Sequence, residues 1–402
     1  MQSISRFLLI GAACLGTELT AQSNFDDWTQ WLQNKPGLIY DNKENPLVQS
    51  FQFIGRFQYQ AAYVEGSDVN GDRFNETYDT FRRVRFGVQS NFLNYFFTKV
   101  QANLVSDGRF SGNDLDWGYD SLEEAYLRFN LGKWLGDASP MDSLSLTYGR
   151  KKFTFGYESH LSSTKLLTVE RSALSNKVYG GYFPTGLLVN AKKGDWSYAA
   201  ALYSSSVDGD DHEAFVGWQD SQIFYFNLGH KYSDELKLGA DFVYNDADVT
   251  KGEDSLMAYQ WATSLNAIYD KDRFGIAGDL IFGNNGNNLG HRPSREGSFY
   301  GVMVMPYYWL VQEKLQGVLQ LQHMASSKSE GVRINSRYGR AKGSGDVNGG
   351  RGDSHQSVYG GLNYYLAGHN AKFQAGIEYQ TMDTPGGRFD TVSYVTAFRM
   401  FF

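Results

Sequence analysis

From Gln49 onward, apolar and polar residues alternate one for one along the chain. Within 49–64, Phe51, Phe53, Phe57, Tyr59, Ala61 and Tyr63 share one parity. Gln52, Arg56, Gln58 and Gln60 share the other, with Ile54 and Ala62 as exceptions. A strand sends successive side chains to opposite faces, so the pattern predicts one greasy face and one wet face. Val84, Phe86 and Val88 alternate in the same way with Arg83, Arg85 and Gln89, and Val100, Ala102 and Leu104 with Lys99, Gln101 and Asn103. Sixteen segments carry the pattern: 49–64, 78–90, 96–106, 121–131, 143–151, 185–192, 196–206, 221–231, 236–246, 257–269, 274–282, 298–309, 315–325, 355–366, 371–382 and 391–402. An even number of strands lets a closed sheet bring both ends to one side.

The connections alternate as well. Short ones fall at 91–95, 193–195, 232–235, 270–273, 310–314 and 367–370, with 132–142 the one long member of that set. Between them the pattern predicts long connections at 65–77, 107–120, 152–184, 207–220, 247–256, 283–297, 326–354 and 383–390. A sandwich has no reason to sort loop length by parity. A transmembrane barrel with tight turns at one rim and long loops at the other does. The predicted fold is an all-β, 16-stranded antiparallel transmembrane β-barrel spanning 47–402. Segment 152–184 is its third external loop, folded inward as a constriction. The terminal strand supports this reading: Tyr394, Phe398, Met400 and Phe402 share one parity, and the last residue is aromatic.

Composition agrees with a barrel. Aromatic residues make up 16% of the 402, with 27 Tyr and 28 Phe, yet mean hydropathy is only −0.44. No apolar run past the N-terminus approaches the ~20 residues of a membrane helix. Residues 1–21 resemble a secretory signal, with Arg6, an apolar stretch Phe7–Leu15 and small Ala21 at the expected cut. The single cysteine, Cys14, lies inside it, and Gly11 does not fit a lipoprotein signal. Residues 22–46 read as a periplasmic extension in which Phe25, Trp28 and Trp31 share a short helical face.

Net charge is −7, which argues against a nucleic-acid partner. The acid collects in loops, at Glu65–Asp79, Asp107–Asp120 and Asp208–Glu213. The base collects on inward parity, at Arg56, Arg83, Arg85, Lys99, Arg128, Lys192, Lys237, Lys372 and Arg399, against inward Glu124, Asp241, Asp279 and Glu378. Segment 152–184 and its approach add Lys151, Lys152, Lys165, Arg171 and Lys177 against Glu158 and Glu170. Cations lining a pore favour anions, because low-dielectric walls concentrate their field. The expectation is a passive channel for small anions with no cofactor and no metal. The pore-lining candidates are Arg56, Arg83, Arg85, Lys99, Arg128, Lys151, Lys152, Lys165, Arg171, Lys192, Lys237 and Lys372.

Several stretches carry a family resemblance. They are Arg82-Arg83-Val84-Arg85-Phe86-Gly87, Leu122-Glu123-Glu124-Ala125-Tyr126-Leu127-Arg128, Thr147-Tyr148-Gly149-Arg150-Lys151-Lys152-Phe153, Ser162-Ser163-Thr164-Lys165, Val169-Glu170-Arg171-Ser172 and Tyr359-Gly360-Gly361-Leu362-Asn363-Tyr364-Tyr365. In order and spacing they resemble the phosphate-selective porin family of bacterial outer membranes. The resemblance implies a trimer in contact with outer-membrane lipid and lipopolysaccharide. It also implies phosphate or polyphosphate as solute, Arg83, Arg85 and Arg128 as wall arginines, and Lys151, Lys152 and Lys165 at the constriction. Many relatives carry an acidic or Gln-Phe-Lys-Glu-like stretch where this chain has Gly149-Arg150-Lys151-Lys152, so no phosphate-site lysine aligns.

Other readings remain open. Inward Tyr126, Tyr359 and Tyr365 suit a general or sugar-type porin, and a plugged structural barrel fits the same parity. A hydrolase would draw on Ser159 and His160. Gly283–Gly290 lacks the Lys-Ser/Thr and helix start of a phosphate loop, and Arg351-Gly352-Asp353 sits in a Gly-rich loop. The loop acids at 208–213 are candidates for weak Ca²⁺ binding.

Overall fold

The computed structural model describes residues 20–34, 36–105, 117–205, 221–334, 339 and 345–402. The signal-like residues 1–19, Cys14 and the acids at 107–116 and 208–213 lie outside them. Sixteen barrel strands follow in chain order: β1 (Val48–Ser67), β2 (Arg73–Phe92), β3 (Phe96–Val105), β4 (Trp117–Phe129), β5 (Ser143–Arg150), β6 (Thr185–Lys193), β7 (Trp196–Ser204) and β8 (Gln222–Lys231). Then come β9 (Leu236–Asn245), β10 (Trp261–Lys271), β11 (Phe274–Asn284), β12 (Ser298–Val311), β13 (Leu315–Ser326), β14 (Ser354–Tyr365), β15 (Ala371–Thr384) and β16 (Gly387–Phe401). Each is antiparallel to the next, and β16 returns to β1 from Asp390↔Ser67 to Phe401↔Arg56. The sheet is therefore a closed 16-stranded barrel, and every predicted segment overlaps one of its strands.

Its burial is inverted relative to a water-soluble fold. On β9, Leu238, Phe242 and Tyr244 are exposed, whereas Asp241, Val243 and Asn245 are buried. The same holds on β14 and β15, where Val358, Leu362 and Ile377 face out while Ser357, Asn363, Lys372 and Gln374 are buried. Hydrocarbon solvates the outer face, so polar side chains gain by turning inward, where they find partners.

Two predicted long loops are tight turns. The connection expected at 65–77 shrinks to 68–72, and that at 383–390 to 385–386. Asp68 Oδ1 accepts from Asn70 N at 2.8 Å and Asp72 N at 3.0 Å, and Thr384 Oγ1 accepts from Gly386 N at 3.2 Å. Side-chain acceptors of this kind close short turns. The flanking polar residues then stay in the ladder beyond the apolar band.

The chain ends meet at the closing seam. A short strand, Leu38–Asp41, pairs with β1 where β16 has ended. Phe402 packs onto Gly55, where a Cβ would fall 2.2 Å from its ring. Helix α1 (Thr20–Gln33) docks beside it, with fully buried Leu32 against Ala367 and Ala371 and with Trp28 packed alongside. Trp31 is exposed instead. The i, i+4 spacing of Trp28 and Leu32 defines the docked face, correcting the expected Trp28–Trp31 pairing.

Candidate functional site

Segment 151–184 connects β5 to β6. Rich in aromatic residues at its start, it folds into two short helices, α2 (Tyr157–His160) and α3 (Ala173–Tyr179), joined by an extended stretch. Ser172 caps α3 by accepting from Ser175 N at 3.1 Å, and Gly180, at φ +58°, closes it.

One side of the segment is apolar. Phe153, Phe155, Tyr157, Leu174 and Val178 are buried in a single cluster with inward residues of β6 to β13, among them Tyr203, Tyr225, Val243, Ile281, Phe299 and Met305. Phe153 stacks on Phe155 and meets Tyr225 edge-on at 5.5 Å. Two wall carboxylates fix the start of α2. Asp241 accepts from Gly156 N at 3.0 Å, and Asp279 from Tyr157 N at 2.8 Å. Asp241 also accepts from Tyr225 and Asn227, and lies 2.9 Å from His160 Nε2.

The other side is polar. Residues 162–170 are held by side chains on five successive strands. Asn363 on β14 donates to Leu167 O at 2.9 Å, and Lys372 on β15 to Leu166 O at 2.5 Å. On β16, Arg399 donates to Ser163 O at 2.5 Å and to Val169 O. On β1, Arg56 reaches Ser163 Oγ at 2.8 Å and Gln60 reaches Val169 O at 3.3 Å. On β2, Arg82 pairs with Glu170 at 2.8 Å.

Ion pairs run on into β4. Arg85 meets Glu123 at 2.5 Å, Lys99 meets Glu124, and Glu124 accepts from Lys152 N at 3.4 Å. Two of these residues, Arg82 and Glu123, are on the outward parity of the sequence pattern. Each is the extra residue of a β-bulge. Gln58 pairs with Arg83 but Tyr59 with Phe81, and Gln101 pairs with Glu124 but Ala102 with Leu122. A bulge puts two consecutive side chains on one face, so Arg82 joins Arg83 and Glu123 joins Glu124 on the inner wall. The adjacent like charges were the available signal, since strict alternation would drive one of each pair into hydrocarbon.

The sequence candidates separate into groups. Arg56, Arg83, Arg85, Lys99, Lys151, Lys152 and Arg171 come together around β1 to β4 and the segment. Lys152 and Arg171 both donate to Leu161 O, at 2.9 and 3.1 Å, and both lie over the Tyr179 ring. Lys372 is buried on the segment's backbone. Arg128 is exposed and covers Phe97 at 4.4 Å. Lys165, Lys192 and Lys237 are exposed, the last two at the short-turn ends of β6 and β9. Burial, then Arg171 and Arg56, push the Lys152 ammonium well below its usual range. Burial raises the Glu158 carboxyl, against the opposing hydrogen bonds from Ser172 and Gln320. Burial and then Arg351 lower Lys177 to about 7. Ser159 Oγ bonds Phe155 O at 2.5 Å while His160 faces Asp241, so the two do not form a nucleophile–base pair.

A family model described as phosphate-selective porin O and P matches residues 51–309. The chain belongs to this family. It is an outer-membrane porin, and family and fold are those of a channel rather than of an enzyme. Among solved structures, the outer membrane channel DcaP of Acinetobacter baumannii superposes with a TM-score of 0.57 at 12% identity, covering 90% of this chain and 100% of that one. OmpF of Salmonella typhi, in complex with daunomycin, gives 0.55 at 13% identity, covering 90% and 100%. A trimer form of OmpT of Vibrio cholerae gives 0.52 at 11%, covering 88% and 99%. At these identities the likeness is one of fold. A search of curated proteins finds no match.

Proposed function

We propose that this porin passes small anions, with phosphate or polyphosphate as the preferred class, and that segment 151–184 lies across the lumen as its constriction. The position of the segment is supported by its partners, which sit on strands from opposite sides of a closed sheet. Arg56 and Arg83 carry the anion reading. The hydrogen bonds of Arg56 go to the hydroxyls of Ser163 and Ser162, and that of Arg83 to Gln58 Oε1 at 2.8 Å. Arg56 Nε is buried and bonds nothing. The neighbouring cations Arg82, Arg85 and Lys99 are each matched by a carboxylate. Two guanidiniums with uncharged partners leave net positive potential there, which attracts anions while binding stays weak enough for release. The pore-lining set is then Arg56, Arg83, Lys151 and Lys165, with Arg128, Lys192 and Lys237 on the approach from the short-turn rim. Lys152, Arg171 and Lys372 act as clamps on the segment's carbonyls. Assembly as a homotrimer in contact with lipopolysaccharide completes the proposal.

The test is inhibition of chloride conductance through single channels by added phosphate. The proposal expects block at millimolar phosphate and none with maltodextrin. Block by maltodextrin alone would favour a sugar-type porin.

A further inference from the structure

One buried group of potential metal-ligating side chains makes no hydrogen bond to segment 151–184, although its two methionines belong to the apolar cluster that seats it. Met324 on β13, His355 on β14 and Met382 on β15 form a row across three adjacent strands, in register as Met324↔His355 and His355↔Met382. Directly opposed residues share a face and hold their Cβ atoms about 5 Å apart. All three are inward and essentially inaccessible, at 1%, 0% and 0% exposure. The flexible thioether arms of the two methionines can converge on the imidazole between them.

The histidine is oriented for this. Its Nδ1 lies 2.9 Å from Thr381 O, and a carbonyl only accepts, so Nδ1 carries the proton and Nε2 carries the free lone pair. Nε2 is buried and bonds nothing. A backbone carbonyl on one ring nitrogen is the usual outer contact of a histidine whose other nitrogen binds metal. The row is also covered. A Cβ at Gly352 would fall 2.6 Å from Met382 Sδ, so the backbone of the external loop lies directly over that thioether.

We propose that Met324 Sδ, His355 Nε2 and Met382 Sδ form a binding site for a soft monovalent metal ion, Cu(I) or its analogue Ag(I). The donor set decides the class. Two thioethers and one neutral imidazole suit Cu(I); Zn²⁺ sites are built from thiolate, several imidazoles or carboxylate, and Ca²⁺ and Mg²⁺ sites from oxygen, none of which this row supplies. Among the described residues no group of three His, Cys, Asp or Glu stands together to hold such an ion.

The experiment uses the full chain purified in detergent and exposed to silver nitrate in chloride-free buffer. Silver retained after gel filtration is counted by mass spectrometry, and its ligands are read by X-ray absorption. The expected result is one silver ion per chain with sulfur and nitrogen neighbours. Met324→Leu and Met382→Leu, which preserve volume, lose it, as does His355→Gln. Met305→Leu, a buried inward methionine outside the row, keeps it. Heat-modifiable gel mobility verifies that each variant is folded. Absence of retained silver in the folded wild type overturns the proposal. So does equal retention in folded Met382→Leu, which would make the ion an adventitious one bound elsewhere. Should His355→Gln not fold, the nitrogen neighbour in the wild-type absorption spectrum still decides the role of His355.

Discussion

The two halves of the inner wall hold the same segment by different physics. From β6 to β13 the contact is mainly apolar and closely packed, with Phe153 and Phe155 at its centre and a few bonds involving Asp241, Asp279, Gln320 and Gln322. From β14 round to β2 it is mainly a set of directional bonds from Asn363, Lys372, Arg399, Arg56, Gln60 and Arg82 to the backbone and side chains of 162–170, beside a small apolar patch around Val169. Apolar contact is non-directional and excludes water, so that half seats the segment. Hydrogen bonds and ion pairs are directional, so the other half sets its register and gathers the charge. The difference explains why the cations cluster on β1 to β4, while the opposite wall contributes the carboxylates Asp241 and Asp279 only where backbone N–H groups of α2 need acceptors.

Breaking the apolar half should have the largest effect. Phe153→Ala with Phe155→Ala removes the two rings at the centre of the cluster, each worth about 3–5 kcal/mol when truncated to Ala. The midpoint of heat-modifiable gel mobility should fall, and single-channel recordings should show larger, noisier conductance from an unseated segment. An unchanged midpoint would mean that the polar half alone holds it.

Next in size is the Arg82–Glu170 pair, which is shielded on both sides. A double-mutant cycle with Arg82→Met and Glu170→Gln should return a coupling of about 1–3 kcal/mol in the same midpoint. A coupling near zero would place the register elsewhere, on Arg399 and Lys372.

Much of this was legible from the chain. Parity located every strand and put Arg56, Arg83, Arg85 and Lys99 on the wet face, because lipid on the other side enforces alternation. Parity failed at Arg82 and Glu123, since a bulge locally suspends the alternation on which it relies. It also failed at 65–77 and 383–390, where polar residues continue the ladder past the membrane and so imitate loops. The partners of Lys152, Arg171 and Lys372 were beyond sequence reasoning. A cation that clamps a backbone carbonyl has the same spelling as one that faces the pore.

Smaller changes sharpen the charge comparison. Glu123→Gln leaves Arg85 without its carboxylate, so the chloride-to-potassium permeability ratio should rise, by roughly twofold or less given screening in a wet lumen. A fall would mean that Glu123 supports the arginines rather than offsetting them. The smallest effect belongs to Lys177, which sits over the Phe299 ring at 4.4 Å and bonds Asn285 Oδ1 at 2.6 Å. With its ammonium lowered to about 7, it is charged below that pH and neutral above. Anion preference should therefore drop slightly as pH rises through about 7, and Lys177→Met should abolish that drop. A slope that survives the substitution would assign the titration to another group.

The central claim is that Arg56 and Arg83, bonded only to uncharged groups, give the charged half its sign. The direct measurement is the zero-current potential across a KCl gradient for single channels of the wild type and of Arg56→Gln/Arg83→Gln. The account predicts a chloride-selective potential in the wild type that collapses toward zero or reverses in the double variant. A potassium-selective wild type, or a chloride-selective potential untouched by the substitutions, would contradict it.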